Sequence, residues 1–211
     1  MRHDKRRTRS SFSSRQAGDR LLRTAPAQRT ARPALKNIGP ESSQLLSDLS
    51  IATFVQAYQD VHSWQNIQHY CRRHYSEAAA KKTLQRDDIG AVVAFAGAQP
   101  AGFYVLRHRR CPPAPGIAAS ELKQIYVLAA HYGSGLGRQL FEHAVSAARN
   151  RGSERLWLCV SNANLRAQAF YRKLGFAVVG DGPALEVGTD TLPSTILELR
   201  VCEETDESPA P

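Results

Sequence analysis

Tyr132-Gly133-Ser134-Gly135-Leu136-Gly137-Arg138 stands after a predicted strand and opens a predicted helix. Glycines there let backbone N–H groups approach a ligand closely, and the helix N-terminus adds partial positive charge, so the loop suits a pyrophosphate. Taken alone, the same glycines serve a structural tight turn equally well. The dinucleotide fingerprint GxGxxG is not met, because Arg138 stands where its last glycine would be, and the Walker A pattern lacks its Gly-Lys-Ser/Thr ending. His69, Cys71 and His74 are metal-ligating types, but their short gaps on a helix aim them in different directions, so no metal is expected. Arg107, Arg109 and Arg110 could steer an anion, although a basic run in a loop is more often simply solvated.

The elements that position this loop alternate between strand and helix. Residues 32–38 can form a first strand, and Pro40 with Glu41 starts a helix through Leu45, Leu46, Leu49, Phe54 and Val55. A second helical stretch runs from about Trp64 to Gln85, broken near His74. Ala91–Ala96 and Ala101–Leu106 flank Gly97-Ala98-Gln99-Pro100, a hairpin signal, and residues 107–117 read as a loop. Glu121–Leu128 reads as a strand. Leu136, Leu140, Ala144, Ala147 and Ala148 recur at helical spacing, ending near Arg151-Gly152. Arg155–Val160 is a nearly continuous apolar strand, as expected for one covered on both faces. A helix over Ala163–Leu174 stops at Gly175, and final strands lie near Phe176–Val179 and Thr195–Val201. Strand, helix, strand implies a right-handed crossover.

With 211 residues, 42% of them apolar, the chain suits one well-cored domain. Its net charge of +9 is localised: residues 1–40 hold eleven Lys and Arg against Asp4 and Asp19, whereas residues 41–211 balance at seventeen of each sign. A folded nucleic-acid platform is therefore not expected. Residues 1–30 have too few large apolar groups to offset their ordering entropy and read as a disordered basic arm, either a solvated tail, a tether for anions or a transit peptide. The domain is expected over residues 31–202, followed by an acidic flexible tail at 203–211. Cys71, Cys111, Cys159 and Cys202 form no CxxC pair, which suits reduced thiols. No apolar run reaches the roughly 18 residues of a membrane span, so a soluble, cytoplasmic protein is expected.

Three segments in order carry a resemblance: Ile125-Tyr126-Val127, then the glycine loop, then Asn164-Leu165-Arg166-Ala167 followed by Phe170-Tyr171-Arg172-Lys173-Leu174-Gly175-Phe176. Together they resemble the GNAT superfamily of acetyl-CoA-dependent N-acetyltransferases, across roughly residues 32–202 and most specifically across 121–180. The resemblance implies an α/β (α+β) fold with a mixed, twisted, mostly antiparallel sheet of six or seven strands, parallel only at the cofactor crossover. It implies acetyl-CoA as co-substrate, with the pantetheine arm against the backbone around Ile125, Tyr126 and Val127 and the pyrophosphate on Tyr132, Gly133, Ser134, Gly135, Leu136, Gly137 and Arg138. Asn164 would contact the cofactor arm. Tyr171 matches the tyrosine that can protonate the departing thiolate, and Glu121 matches the glutamate that serves histone-type members as general base. Water chains can replace that carboxylate, and the alternative for Glu121 is a strand residue paired with Lys123. Tyr132 departs from the usual Arg or Gln, which predicts altered phosphate contacts.

A looser similarity, in Thr53–Lys82, Leu122–Val127 and Gly188-Thr189-Asp190, points to the branch that acetylates polyamines and related amines. The expected acceptor is thus a primary amine, a polyamine or small amine. A protein or peptide N-acetyltransferase and a non-catalytic acyl-CoA sensor are the alternatives, and a homodimer is among the assemblies allowed.

Overall fold

The computed structural model describes residues 33–109 and 117–202. The expectations for residues 1–30 and 203–211, and for most of the 107–117 loop, lie outside the described residues. Among the described residues seven strands form: Ala34–Asn37 (β1), Ile89–Ala96 (β2), Gln99–Arg107 (β3), Ala119–Val127 (β4), Arg155–Ser161 (β5), Ala177–Val187 (β6) and Asp190–Arg200 (β7). They make one sheet ordered β1-β2-β3-β4-β5-β7-β6. Only β4 and β5 run parallel; the remaining neighbours are antiparallel. This is the expected architecture.

Among the described residues five α-helices cover the sheet: Ser43–Tyr58 (α1), Trp64–His74 (α2), Glu77–Leu84 (α3), Leu136–Arg149 (α4) and Leu165–Lys173 (α5). Local chemistry sets their ends. A 3-10 turn at Pro40–Ser42 leads into α1, and Ser63 and Ser76 cap α2 and α3 by accepting from the N–H groups of Asn66 and Ala79. The predicted break near His74 falls at Tyr75, whose carbonyl accepts from Ser47 Oγ at 2.6 Å and ties the α2–α3 corner to α1.

The sheet separates two apolar layers. On one side α4 and α5 pack Leu136, Leu140, Ala144 and Tyr171 against Tyr104, Leu106, Leu122 and Leu158. On the other, α1 and α3 pack Leu46, Leu49 and Leu84 against Val93, Phe103 and Val105. A third cluster joins α1 and α2 to the tip of the β6–β7 hairpin through Phe54, Tyr58, Ile67, Cys71 and Val187. Burial there pushes the Cys71 thiol up to about 12, as suits a packing residue.

The hairpin is longer than the sequence pattern indicates. β6 continues eight residues past Val179, to Val187, and β7 begins at Asp190 instead of Thr195. Gly180, Gly182 and Pro183 read as breakers, but the strand absorbs them at two register shifts, Val178/Gly180 and Gly182/Leu185. Pro183 keeps its carbonyl paired, accepting from Ser194 Oγ at 2.7 Å. The turn at Gly188 (φ 64°) brings Asp190 within 2.8 Å of buried His62, and Asn66 donates to Thr189 Oγ1 at 3.1 Å, so the hairpin tip is fastened to the α1–α2 corner.

Candidate active site

β4 and β5 pair only from Ala119 to Glu121 against Arg155 to Trp157. Beyond that point β4 runs on to Val127 and β5 to Ser161 with no ladder between them. A physical cause lies on β4 itself. Against β3, Leu122 faces Leu106 and Gln124 faces Val105, so Lys123 is an extra residue. Such a bulge bends its strand and increases the local twist, and this one sits where the parallel pairing stops.

The opening is a cavity of about 470 Å³. β4 contributes Leu122 to Val127, β5 contributes Cys159 to Ser161, and the glycine loop closes one end. Of the residues singled out in the sequence, Ile125, Tyr126, Val127, Tyr132, Gly133, Gly135, Leu136, Gly137, Arg138, Asn164 and Tyr171 line it together. Ser134 and Glu121 are outside that lining. Ser134 shapes the loop instead: its hydroxyl donates to the His131 carbonyl at 2.7 Å and accepts from Leu136 N–H at 3.4 Å.

Gly133 (φ 75°) and Gly135 (φ 84°) hold left-handed backbone, which side chains rarely adopt. No side chain caps α4. The first N–H groups of a helix lack intrahelical partners, so those of α4 remain available at the cavity mouth, with the positive end of its dipole. The described lining has no carboxylate; its charged members are Lys123, Arg138 and Arg166, with His131 beside the loop. The cavity suits an anion.

In the sequence Arg166 stood out only as part of the Asn164–Ala167 segment, with no role of its own. Its guanidinium stacks 3.0 Å from the centre of the Tyr132 ring, bringing a cation beside the position where the resemblance leads one to expect Arg or Gln. A signal was present. Arg166 lies in the first turn of α5, where the helix dipole disfavours a cation unless a π-face or an anion compensates. Asn164 caps the same helix, its Oδ1 accepting from Ala167 N–H at 3.1 Å.

Tyr171 is 8% exposed, packed edge-on against Phe176 and beside Phe170, yet it reaches the cavity lining. Burial holds its phenol well above the ordinary value, so it stays protonated through the physiological range. Tyr58, from α1, enters from the opposite layer; burial raises its phenol too, partly offset by hydrogen bonding with Asn164 and Ser161. Cys159 also lines the cavity, but burial, and secondarily the Glu121 carboxylate, raise its thiol, the reverse of an activated nucleophile.

Glu121 lies on the face of β4 below α1 and α3. Arg107, opposite it on β3, places Nη1 3.3 Å from Glu121 Oε2, so Arg107 is its nearest ion-pair partner. Lys123 is close enough for its ammonium to be stabilised by Glu121, although desolvation dominates and lowers its pKa.

The site is thus a groove between an opened parallel strand pair, with an uncapped helix start and cationic side chains at one end. A profile of the acetyltransferase (GNAT) family matches residues 46–176, more than half of the chain, and the chain belongs to that family. It is 46% identical over 68 residues to streptothricin acetyltransferase of Streptomyces lavendulae, covering 32% of this chain and 36% of that protein. It is 39% identical over 80 residues to the 5-NmdU N-acetyltransferase of Pseudomonas phage PaMx11, covering 38% of this chain and 51% of the phage protein. The matched stretches thus span about a third to a half of these curated relatives. Among solved structures, the paia N-acetyltransferase of Thermoplasma acidophilum, in complex with coenzyme A, superposes with a TM-score of 0.67 at 21% identity, covering 81% of this chain and 99% of that one. At that identity the likeness is one of fold.

Proposed function

We propose that this chain is an acetyl-CoA-dependent N-acetyltransferase that acetylates a primary amine by direct attack. The observation that carries the reading is the gap between β4 and β5, closed at one end by the uncapped start of α4 and lined without carboxylates. When bound, acetyl-CoA supplies an activated acetyl thioester. Backbone N–H groups of Gly133 to Arg138 would hold its pyrophosphate, aided by Arg138 and Arg166. The edge of β4 around Ile125 and Val127, unpaired toward β5, would hold its arm.

The residues divide the proton chemistry between two faces. An alkyl ammonium with a pKa near roughly 10.4 has no lone pair for attack, so a base must take its proton. Glu121 Oε2, ion-paired yet without a hydrogen bond among the described residues, is the group assigned to this step. Tyr171 Oη holds the proton that a departing thiolate requires, and its place in the lining supports catalysis over a sensing role. The thiol that lines the cavity, Cys159, is raised and not activated, which favours direct attack over a covalent thiol intermediate.

Calorimetry tests the reading directly. Acetyl-CoA should bind while NAD and ATP bind little; strong NAD binding with none for acetyl-CoA would sink the assignment. Arg166→Ala should raise the KM for acetyl-CoA about 10- to 100-fold, the usual weight of one hydrogen bond to a charged group, with kcat within about twofold. An unchanged KM in steady-state assays would make the Arg166–Tyr132 stack purely structural.

A further inference from the structure

The face of the sheet below α1 and α3 carries a polar group that the apolar layer around it does not explain. Arg107, Glu121 and Gln124 are near neighbours there: Arg107 faces Glu121 across the β3–β4 ladder, and Gln124 faces Val105, two residues along β3 on the same side. Lys123 joins them because of the bulge. The bulge sets it on the same side as Gln124, and the charges that act on it, Glu121, Arg107 and Arg86, agree with that placement. In a regular strand one of these two consecutive residues would point into the layer under α4.

Three atoms of this group are buried and have no hydrogen-bond partner among the described residues: Arg107 Nε, Gln124 Nε2 and Glu121 Oε2. A buried donor left unmade is costly, so the two donors mark a place completed by something polar, while Glu121 Oε2 is met only by the Arg107 ion pair at 3.3 Å. The set is two donors and one anionic acceptor. Lys123 and Gln124 line the cavity, and no carboxylate does so. A linear polyamine offers only cations to this part of the wall and would leave Gln124 Nε2 unpaired.

Resting on the acetyl-transfer reading, we infer that the acceptor is an amine whose chain also carries a carboxylate or carbonyl oxygen. Lys123 and Gln124, on the cavity wall, receive that oxygen, while the Arg107–Glu121 pair stands behind them, outside the lining, with Glu121 as the group that draws the ammonium's proton. A site built to hydrogen-bond a ligand oxygen discriminates strongly against the analogue that lacks it, because its own buried groups are then stranded.

Matched amines test this. The purified full chain is assayed with acetyl-CoA, following free thiol, on L-lysine and cadaverine, L-ornithine and putrescine, and β-alanine and ethylamine; in each pair only the carboxylate differs. The oxygen-bearing member should show at least a tenfold higher kcat/KM in one pair or more. L-lysinamide then separates the sources. Activity equal to lysine assigns recognition to the carbonyl oxygen, and a fall to the cadaverine level assigns it to the charge. Gln124→Met, which keeps the side chain's length, should shrink the preference several-fold while the KM for acetyl-CoA stays within about twofold. Equal or reversed rates within every pair, including none detectable, overturn the inference, as does full retention of the preference in Gln124→Met. Failure to bind acetyl-CoA by calorimetry would instead overturn the acetyltransferase reading.

Discussion

Replacing Tyr171 by phenylalanine should lower turnover by about 10²- to 10⁴-fold, the usual contribution of a positioned general acid or base, while acetyl-CoA affinity stays within about twofold. The ring's packing against Phe170 and Phe176 is kept and only the hydroxyl is lost, so stability should change little. The raised phenol pKa bears on the pH profile. A group protonated throughout the assay range contributes no limb of its own below about pH 9, so Tyr171→Phe should scale the wild-type profile down without moving its acidic limb. If Tyr171→Phe turns over at the wild-type rate across pH while Tyr171→Ala unfolds, Tyr171 is a packing residue and the thiolate leaves through water.

Gly135→Val should raise the Kd for acetyl-CoA by about 10²- to 10⁴-fold. Gly135 sits at φ 84° and ψ −6°, immediately before α4. A β-branched residue there is a genuine outlier, and a strained backbone of this kind costs on the order of 1–3 kcal/mol. The loop can relieve that strain by turning its N–H groups away from the cavity mouth. Two charge-assisted hydrogen bonds lost at about 1.5–3 kcal/mol each account for the range given. Because a Cβ at Gly135 meets nothing within 4 Å, the effect is conformational and not steric. Titration calorimetry reads the loss, and saturating kinetics should show kcat within a few-fold of wild type. Unaltered affinity would mean that the loop only turns the chain.

The sheet, its single parallel step and the glycine-loop end of the cavity were legible because local signals agree there. The apolar run at Arg155–Val160, the glycine loop and the α4 periodicity each point to the same crossover, and the residues that follow from it line one cavity. What escaped depends on pairing across the chain. The length of β6 was hidden because Gly180, Gly182 and Pro183 look like stops until Ser194 supplies their partner strand. Arg107 read as part of a solvated loop, yet it is the last residue of β3 and meets Glu121, fourteen residues on, only through strand register. Lys123 was expected as a partner of Glu121, and it does lie close enough to feel that carboxylate. The tighter pairing with Arg107 could not be read from spacing.

The bulge at Lys123 also says which changes β4 can tolerate. Substitutions along the strand leave its bend in place, whereas losing a single residue at 123 or 124 would let the ladder against β3 run evenly. Side-chain parity would survive on both faces, so Leu122 and Ile125 would still enter the layer under α4 and the domain would still fold. The straightened strand would then follow β5 beyond Glu121 and zip the opening shut. In this part of the chain, function is written in the number of residues as well as in their kind, and an alignment gap at β4 would mark a sheet that has kept its architecture and lost its mouth.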